Sequence, residues 1–214
     1  MEKYLSYDKL PRVSLLDHFF DAEVTLAAIK TCAYKERGDF AGGNYDFMPH
    51  RKTEEASVKF HRLGKVDGDP FSISKTISLM AGQSIANIEY EVVNNSNAPK
   101  EVLLGVEFNL TLLAGDAPDR SLILSGNPTK FKLNEEGEDL EISSLKLIDE
   151  WKGFGVSLEV EKAGKLFRFP IETISQSEGG LERTYQGTCL IFAFSLKLEP
   201  KAKWANKITV RMES

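Results

Sequence analysis

The sequence predicts an all-β protein, a large antiparallel β-sandwich resting on three observations. Short strand-like runs succeed one another along the whole of the 214 residues. Clusters of Gly, Asn, Asp and Pro punctuate them, and no long amphipathic helical pattern intervenes. Frequent strands joined by turns, without crossover helices, build antiparallel sheets packed face to face. The chain is long enough to bury a substantial core and carries no repeat, low-complexity linker or composition boundary, so residues 1–214 are expected to form a single domain.

Taken in order, the one short helix candidate is Ser14 to Phe20 (SLLDHFF). Strands are expected over Ala22 to Tyr34, Ala56 to Leu63, Phe71 to Met80, Ser84 to Asn94, Glu101 to Leu113 and Ser121 to Leu124. They continue over Leu140 to Ile148, Gly155 to Glu161, Leu166 to Ile174, Thr184 to Leu196 and Asn206 to Met212. Turn-forming residues separate them at Gly42-Gly43-Asn44, Asp67-Gly68-Asp69-Pro70, Asn94 to Asn97, Gly126-Asn127-Pro128, Glu135-Glu136-Gly137 and Gly179-Gly180.

Composition narrows the function. A formal net charge of -5, with 27 basic residues scattered through the chain, provides no basic stripe for a phosphate backbone, so nucleic acid is not an expected partner. No apolar run approaches the roughly 18 to 20 residues needed to span a bilayer, and the first residues (MEKYLSYDKL) lack a hydrophobic signal centre. A cytoplasmic protein without membrane contact is expected. Cys32 and Cys189 read as two buried free thiols, with a bridge between them as the alternative. His18, His50 and His61 have no metal-ligand spacing, and Asp67-Gly68-Asp69 lacks the remaining ligands of a calcium loop, so neither metal nor cofactor is expected.

Two segments carry more polar chemistry than a sheet core requires. In Gly105 to Arg120 (GVEFNLTLLAGDAPDR), Glu107 and Asn109 alternate with Val106, Phe108 and Leu110, so a strand places acid and amide on one face. The run ends in a loop holding Asp116, Asp119 and Arg120, suited to an Asx-type turn clamped by an ion pair. In Phe167 to Tyr185, the even spacing of Arg168 and Glu172 predicts a common face, and Gln176, Glu178 and Arg183 follow around a double glycine. Carboxylates, amides and guanidinium groups of this kind bind sugar hydroxyls. The same residues also suit cross-strand pairs and a surface ion network. His18 beside Asp17 is a further candidate, either as an oriented acid/base pair or as a packed imidazole. Glu107, Asn109, Arg168, Glu172 and Gln176 are expected on one contiguous surface, with the Gly115 to Arg120 loop at its rim.

The blocks Tyr7 to Phe20 (YDKLPRVSLLDHFF), Gly105 to Arg120 and Arg168 to Tyr185 resemble, in order, signature blocks of the C-terminal domain of α-amylases and 4-α-glucanotransferases of glycoside hydrolase family 57. The resemblance covers nearly the whole chain. It implies a fold similar to the galactose mutarotase-like supersandwich, accessory to a separate catalytic β/α barrel that supplies a Glu nucleophile and an Asp acid/base. Neither of those signatures has a counterpart here, so no catalytic residue carries over. The implied partners are an α-1,4-glucan or maltooligosaccharide and a catalytic barrel in cis or in trans, and the surface of Glu107, Asn109, Arg168, Glu172 and Gln176 is expected to meet either the glucan or the barrel. The alternatives are a structural domain without sugar contact, and a mutarotase-like epimerase or glycosidase in its own right.

Overall fold

β11 (Gly180–Leu198) organises the molecule: its run Cys189 to Phe194 (CLIFAF) is buried on both faces. Near-continuous apolar character of this kind marks a central strand with layers on either side. The computed structural model describes residues 8–177 and 180–214. Within these it forms β1 (Leu16–Phe20), α1 (Leu26–Lys30), β2 (Asp46–Arg51), β3 (Glu55–Val66), β4 (Asp69–Met80), β5 (Ile85–Asn94) and β6 (Lys100–Leu110). They are followed by β7 (Arg120–Leu124), β8 (Asn127–Phe131), β9 (Gly137–Asp149), β10 (Phe154–Ser177), β11 and β12 (Lys203–Glu213).

Every strand pair is antiparallel, and the main path runs β1-β6-β11-β10-β12-β5-β4-β3-β2, with β7, β8 and β9 branching from β10. The long β10 belongs to both layers of the sandwich. Its first part pairs with β12 over Gly155 to Val160, and from Lys165 onward it pairs with β11. The register against β9 shifts around Gly164, where a Cβ would stand 2.9 Å from the Ala193 carbonyl oxygen, so only glycine allows this close approach. The two runs expected over Gly155 to Glu161 and Leu166 to Ile174 are therefore one strand that changes partners at a bend. Leu104, Val106, Leu190 and Phe192 on one layer meet Ile73, Ile88, Val92 and Ile208 on the other in the main core.

The other face of β6, β11 and β10 carries a second apolar cluster that includes Leu103, Ile191, Cys189, Phe167 and Phe169. It is covered by Phe20 at the end of β1 and by the segment that follows, through Ile29. Here the structure overturns two expectations. Ser14 to Phe20 is not helical: its end is strand β1, whose alternation sends Asp17 and Phe19 toward the main core and Phe20 into the second cluster. Ala22 to Tyr34 is not a strand, because Thr25 caps the Ala28 amide (3.2 Å) and starts the short helix Leu-Ala-Ala-Ile-Lys. Cys32 then sits in a turn at φ 55°, half-buried rather than in a strand. The edge strands β2 and β8 gave little apolar signal, with Pro49 and Pro128 inside them. The Asp67-Gly68 turn closes the β3–β4 hairpin with both residues at positive φ (50° and 86°), the conformation that suits two-residue hairpins.

Among the described residues Asp17 is the most deeply buried carboxylate, at 1% exposure. Lys75 Nζ donates to its Oδ2 (2.6 Å) and to the Leu15 carbonyl (2.8 Å), and the hydroxyls of Tyr45 and Tyr90 also donate to Asp17. Burial first, then the adjacent Asp17 charge, holds both tyrosines above the usual phenol range. Removing one member of such a pair leaves the other charged and unmatched in the interior. Lys75→Met is expected to cost about 3–5 kcal/mol in urea unfolding, and Lys75→Met combined with Asp17→Asn to recover much of that loss. Equal losses in the single and double variants would show that the pair is not coupled.

Candidate functional site

On the outer side of β1 and β6, Glu107 is 4% exposed and is held from three directions. Asn109 Nδ2 donates to its Oε1 (2.7 Å), as does Arg12 Nη1 (3.3 Å), and His18 Nε2 stands 3.2 Å from Oε2 in an ion-pair contact outside hydrogen-bond alignment. The opposite ring nitrogen, His18 Nδ1, pairs with Glu36 (2.8 Å), whose second oxygen accepts from the Phe19 amide (2.6 Å). The imidazole stacks on Phe20 at 5.1 Å and meets Tyr34 edge-on at 6.0 Å. Burial disfavours the imidazolium, but the flanking carboxylates of Glu107 and Glu36 outweigh it and push His18 up to about 9. Burial alone would raise Glu107; pairing with His18, Asn109 and Arg12 brings it below its ordinary value. The space over this cluster is about 20 Å³.

Arg12 joins the buried cluster to an open cleft of about 350 Å³. Its guanidinium lies 5.4 Å from the Phe169 ring centroid and also pairs with Asp8. Asp8, Arg12, Lys30, Glu136, Glu172 and Arg183 line the cleft over an apolar floor of Phe169, Pro170 and Ile171. Lys30 pairs with Glu136, and Arg183 with Glu172. The cleft forms because β9 pairs with β10 only as far as Gly137 opposite Arg168, so that Pro170 onward is bordered by β11 alone. Among the described residues, no group of three or more His, Cys, Asp or Glu is arranged to hold a metal ion.

The structure does not assemble the expected single surface. Glu107 lies opposite Ile191, and Ile191 opposite Phe167, so Arg168 points to the other face of the sheet. Arg168 is 4% exposed, bonded to Asp139 (2.9 Å) and the Glu135 carbonyl (2.8 Å), and packed 4.1 Å from the Phe131 ring centroid. A register shift between Ile171 and Glu172 breaks the even count that linked Arg168 to Glu172. Glu172 and Asn109 are half-buried, Gln176 and Asp116 are exposed, and Glu178 lies outside the described residues. Arg120 clamps its loop to Asp119 (2.6 Å) and to the buried Asp149 (3.3 Å). Asp17, expected to orient His18, faces the opposite layer; Glu36 does the orienting. Glu36, Lys30, Glu136 and the role of Arg12 escaped the sequence reading, because each reaches the site through tertiary contact from a distant stretch of chain.

The family model described as "Alpha-amylase/4-alpha-glucanotransferase, C-terminal" matches residues 1–208. The chain belongs to this family. Members of wider span are similar throughout: α-amylase 1 of Dictyoglomus thermophilum is 30% identical over 213 residues, covering 97% of this chain and 29% of that protein. The 4-α-glucanotransferase of Thermococcus litoralis is 30% identical over 202 residues, covering 93% of this chain and 27% of that protein. The chain thus spans less than a third of the relatives' length. Its fold matches the crystal structure of the Thermococcus litoralis 4-α-glucanotransferase with a TM-score of 0.74 at 27% identity, over 99% of this chain and 29% of that one. A putative aldose 1-epimerase from Escherichia coli K12 matches with a TM-score of 0.61 at 11% identity, over 95% of this chain and 82% of that one, a likeness of fold. The α-amylase/4-α-glucanotransferase C-terminal domain is therefore an all-β, galactose mutarotase-like structure, as the sequence predicted.

The titration of His18 gives this family member a defined pH response. Its folded value lies above the unfolded value of about 6.5, so its contribution is complete below that pH and disappears as pH rises through about 9. A shift of this size corresponds to about 3 kcal/mol. Unfolding free energy is expected to decline between about pH 7 and 9.5, and the decline to vanish in His18→Gln. An unchanged slope in the variant would remove His18 as its source.

Proposed function

We propose that the chain serves as the accessory domain of an α-glucan-processing enzyme of the α-amylase/4-α-glucanotransferase type, and that the cleft of Arg12, Lys30, Glu136, Glu172 and Arg183 positions oligosaccharide. The observation that carries this reading is the cleft itself. Paired acids and bases bordering the half-buried Ile171 and Ile174 offer hydroxyl partners beside an apolar edge that a pyranose ring can touch. Membership of the family over residues 1–208 supports an α-glucan as the substrate class. Bond cleavage and transfer are assigned to a catalytic portion in cis or in trans, as the resemblance to family 57 enzymes implies. A mutarotase-like role for His18 and Glu107 has less support: both side chains are enclosed by protein, and a space of about 20 Å³ does not admit a sugar ring.

An open cleft competes with water for every hydroxyl contact, so affinity is expected to be modest. Titration of the chain with maltoheptaose, followed by NMR or calorimetry, is expected to give a Kd of about 0.1–1 mM, weakened roughly fivefold or more in Glu172→Gln. Maltoheptaose itself is expected to remain intact during the titration. Absence of any shift at millimolar sugar would leave a bracing domain without sugar contact as the better reading.

A further inference from the structure

Between the start of β1 and strands β3 and β4 lies a cavity of about 420 Å³ that shares no lining residue with the Glu172 cleft. Its size falls in the range of about 300–1,000 Å³ usual for small-molecule sites. Register sets Phe60, Lys75 and Tyr90 side by side on one face of β3, β4 and β5, with Ile77 two positions farther along β4. Half-buried Phe60 and Ile77 meet Leu15, Leu16 and Tyr45 around the space, so its walls are largely apolar. Lys75 also lines it, although its side chain is only 8% exposed. The Leu15 carbonyl and Asp17 Oδ2 accept two of the three N–H donors of its ammonium, which lies 4.4 Å from the Tyr45 ring centroid. One donor is left for an oxygen in the cavity.

The backbone is bent to hold this lysine. Leu15 stands at φ 67°, a left-handed conformation that leucine rarely adopts. Its amide donates to the Glu107 carbonyl of β6 (2.6 Å), while its own carbonyl turns toward Lys75. Strain kept at one point of a structure marks a positioned group. An apolar pair would join the two layers equally well, whereas a buried ammonium at the end of an open cavity offers a ligand a directed donor.

We propose that this cavity binds the terminal glucosyl residue of an α-glucan, with Lys75 donating to a sugar oxygen and Phe60 and Ile77 covering the C–H face of the ring. The inference rests on the α-glucan class of the reading above and adds a second site to it. Two features select this ligand. Asp17 neutralises Lys75, so the site favours a neutral, hydroxyl-bearing molecule over an anion. The network beneath closes the floor, with Asp17 1% and Tyr90 2% exposed, so a chain end enters and the middle of a chain does not.

The test is a methyl NMR titration of the 214-residue chain, labelled at Ile and Leu, with methyl α-D-glucopyranoside and then with maltoheptaose. Ile77, Leu15 and Leu16 report on the cavity; Ile171 and Ile174 report on the cleft. The glucoside is expected to shift the cavity methyls saturably with a Kd of about 1–10 mM, and maltoheptaose to shift both sets. Phe60→Ala is expected to weaken the cavity response about fivefold, and Ile77→Phe, which fills the space, to abolish it at Leu15 and Leu16. Unchanged cleft methyls in both variants confirm that the fold persists. Shifts confined to Ile171 and Ile174 overturn the cavity site and leave the cleft reading standing. Cavity shifts that rise linearly through the millimolar range, or that inorganic phosphate reproduces at lower concentration, also overturn it. Silence of both sets with both sugars removes the cavity site and sugar contact by this domain together.

Discussion

Burial of β11 on both faces is the constraint from which the rest of the architecture follows. A strand reading Cys-Leu-Ile-Phe-Ala-Phe has no face to give to solvent, so β6 and β10 beside it acquire two covered faces as well. One cover is the facing layer of the sandwich. The other is a segment with little regular structure, running through β1 and α1, which supplies few apolar side chains of its own. Ion pairing makes up the difference: Glu107, in the middle of β6, anchors Arg12 and His18, and His18 anchors Glu36. The polar groups that first suggested a binding surface hold a lid of chain onto the sheet.

The same device explains where the open cleft lies. β9 leaves β10 at Gly137, and the covering segment passes over Phe169 through Arg12 and stops short of Glu172. Between the two ends, part of the sheet's second face remains reachable, bordered by charged groups already paired with one another. Such pre-paired groups cost little to keep near water and can exchange partners with a hydroxyl-rich ligand. A rigid structural cluster and an adaptable site thus share one arginine.

The buried Asp17–Lys75 pair stands immediately across the sheet from this arrangement. Alternation along β1 gives Asp17 to one layer and His18 to the other, so five residues tie both covers to one strand. Beyond Lys75 the facing layer runs out, and the apolar faces of β3 and β2 emerge at the molecular surface.

Strand content and much of the turn chemistry were legible in the residues, because alternation and Gly-Asn-Asp punctuation are local properties. Asp67-Gly68 is readable as a hairpin turn from its own dihedral requirements, and CLIFAF as a central strand from its own composition. Local pattern failed at Ser14 to Phe20 and Ala22 to Tyr34: Phe19 and Phe20 are both apolar because strand β1 lies between two cores, a period that mimics a packed helix. The site was legible only in parts. Glu107 and Asn109 do share a face, since they are two positions apart on one strand, whereas the link between Arg168 and Glu172 depended on a register that a bulge interrupts. Whether Arg168 meets solvent or Asp139, and whether His18 is oriented by Asp17 or by Glu36, depends on which strands become neighbours. Residue order sets the faces of each strand; tertiary packing alone decides what each face meets.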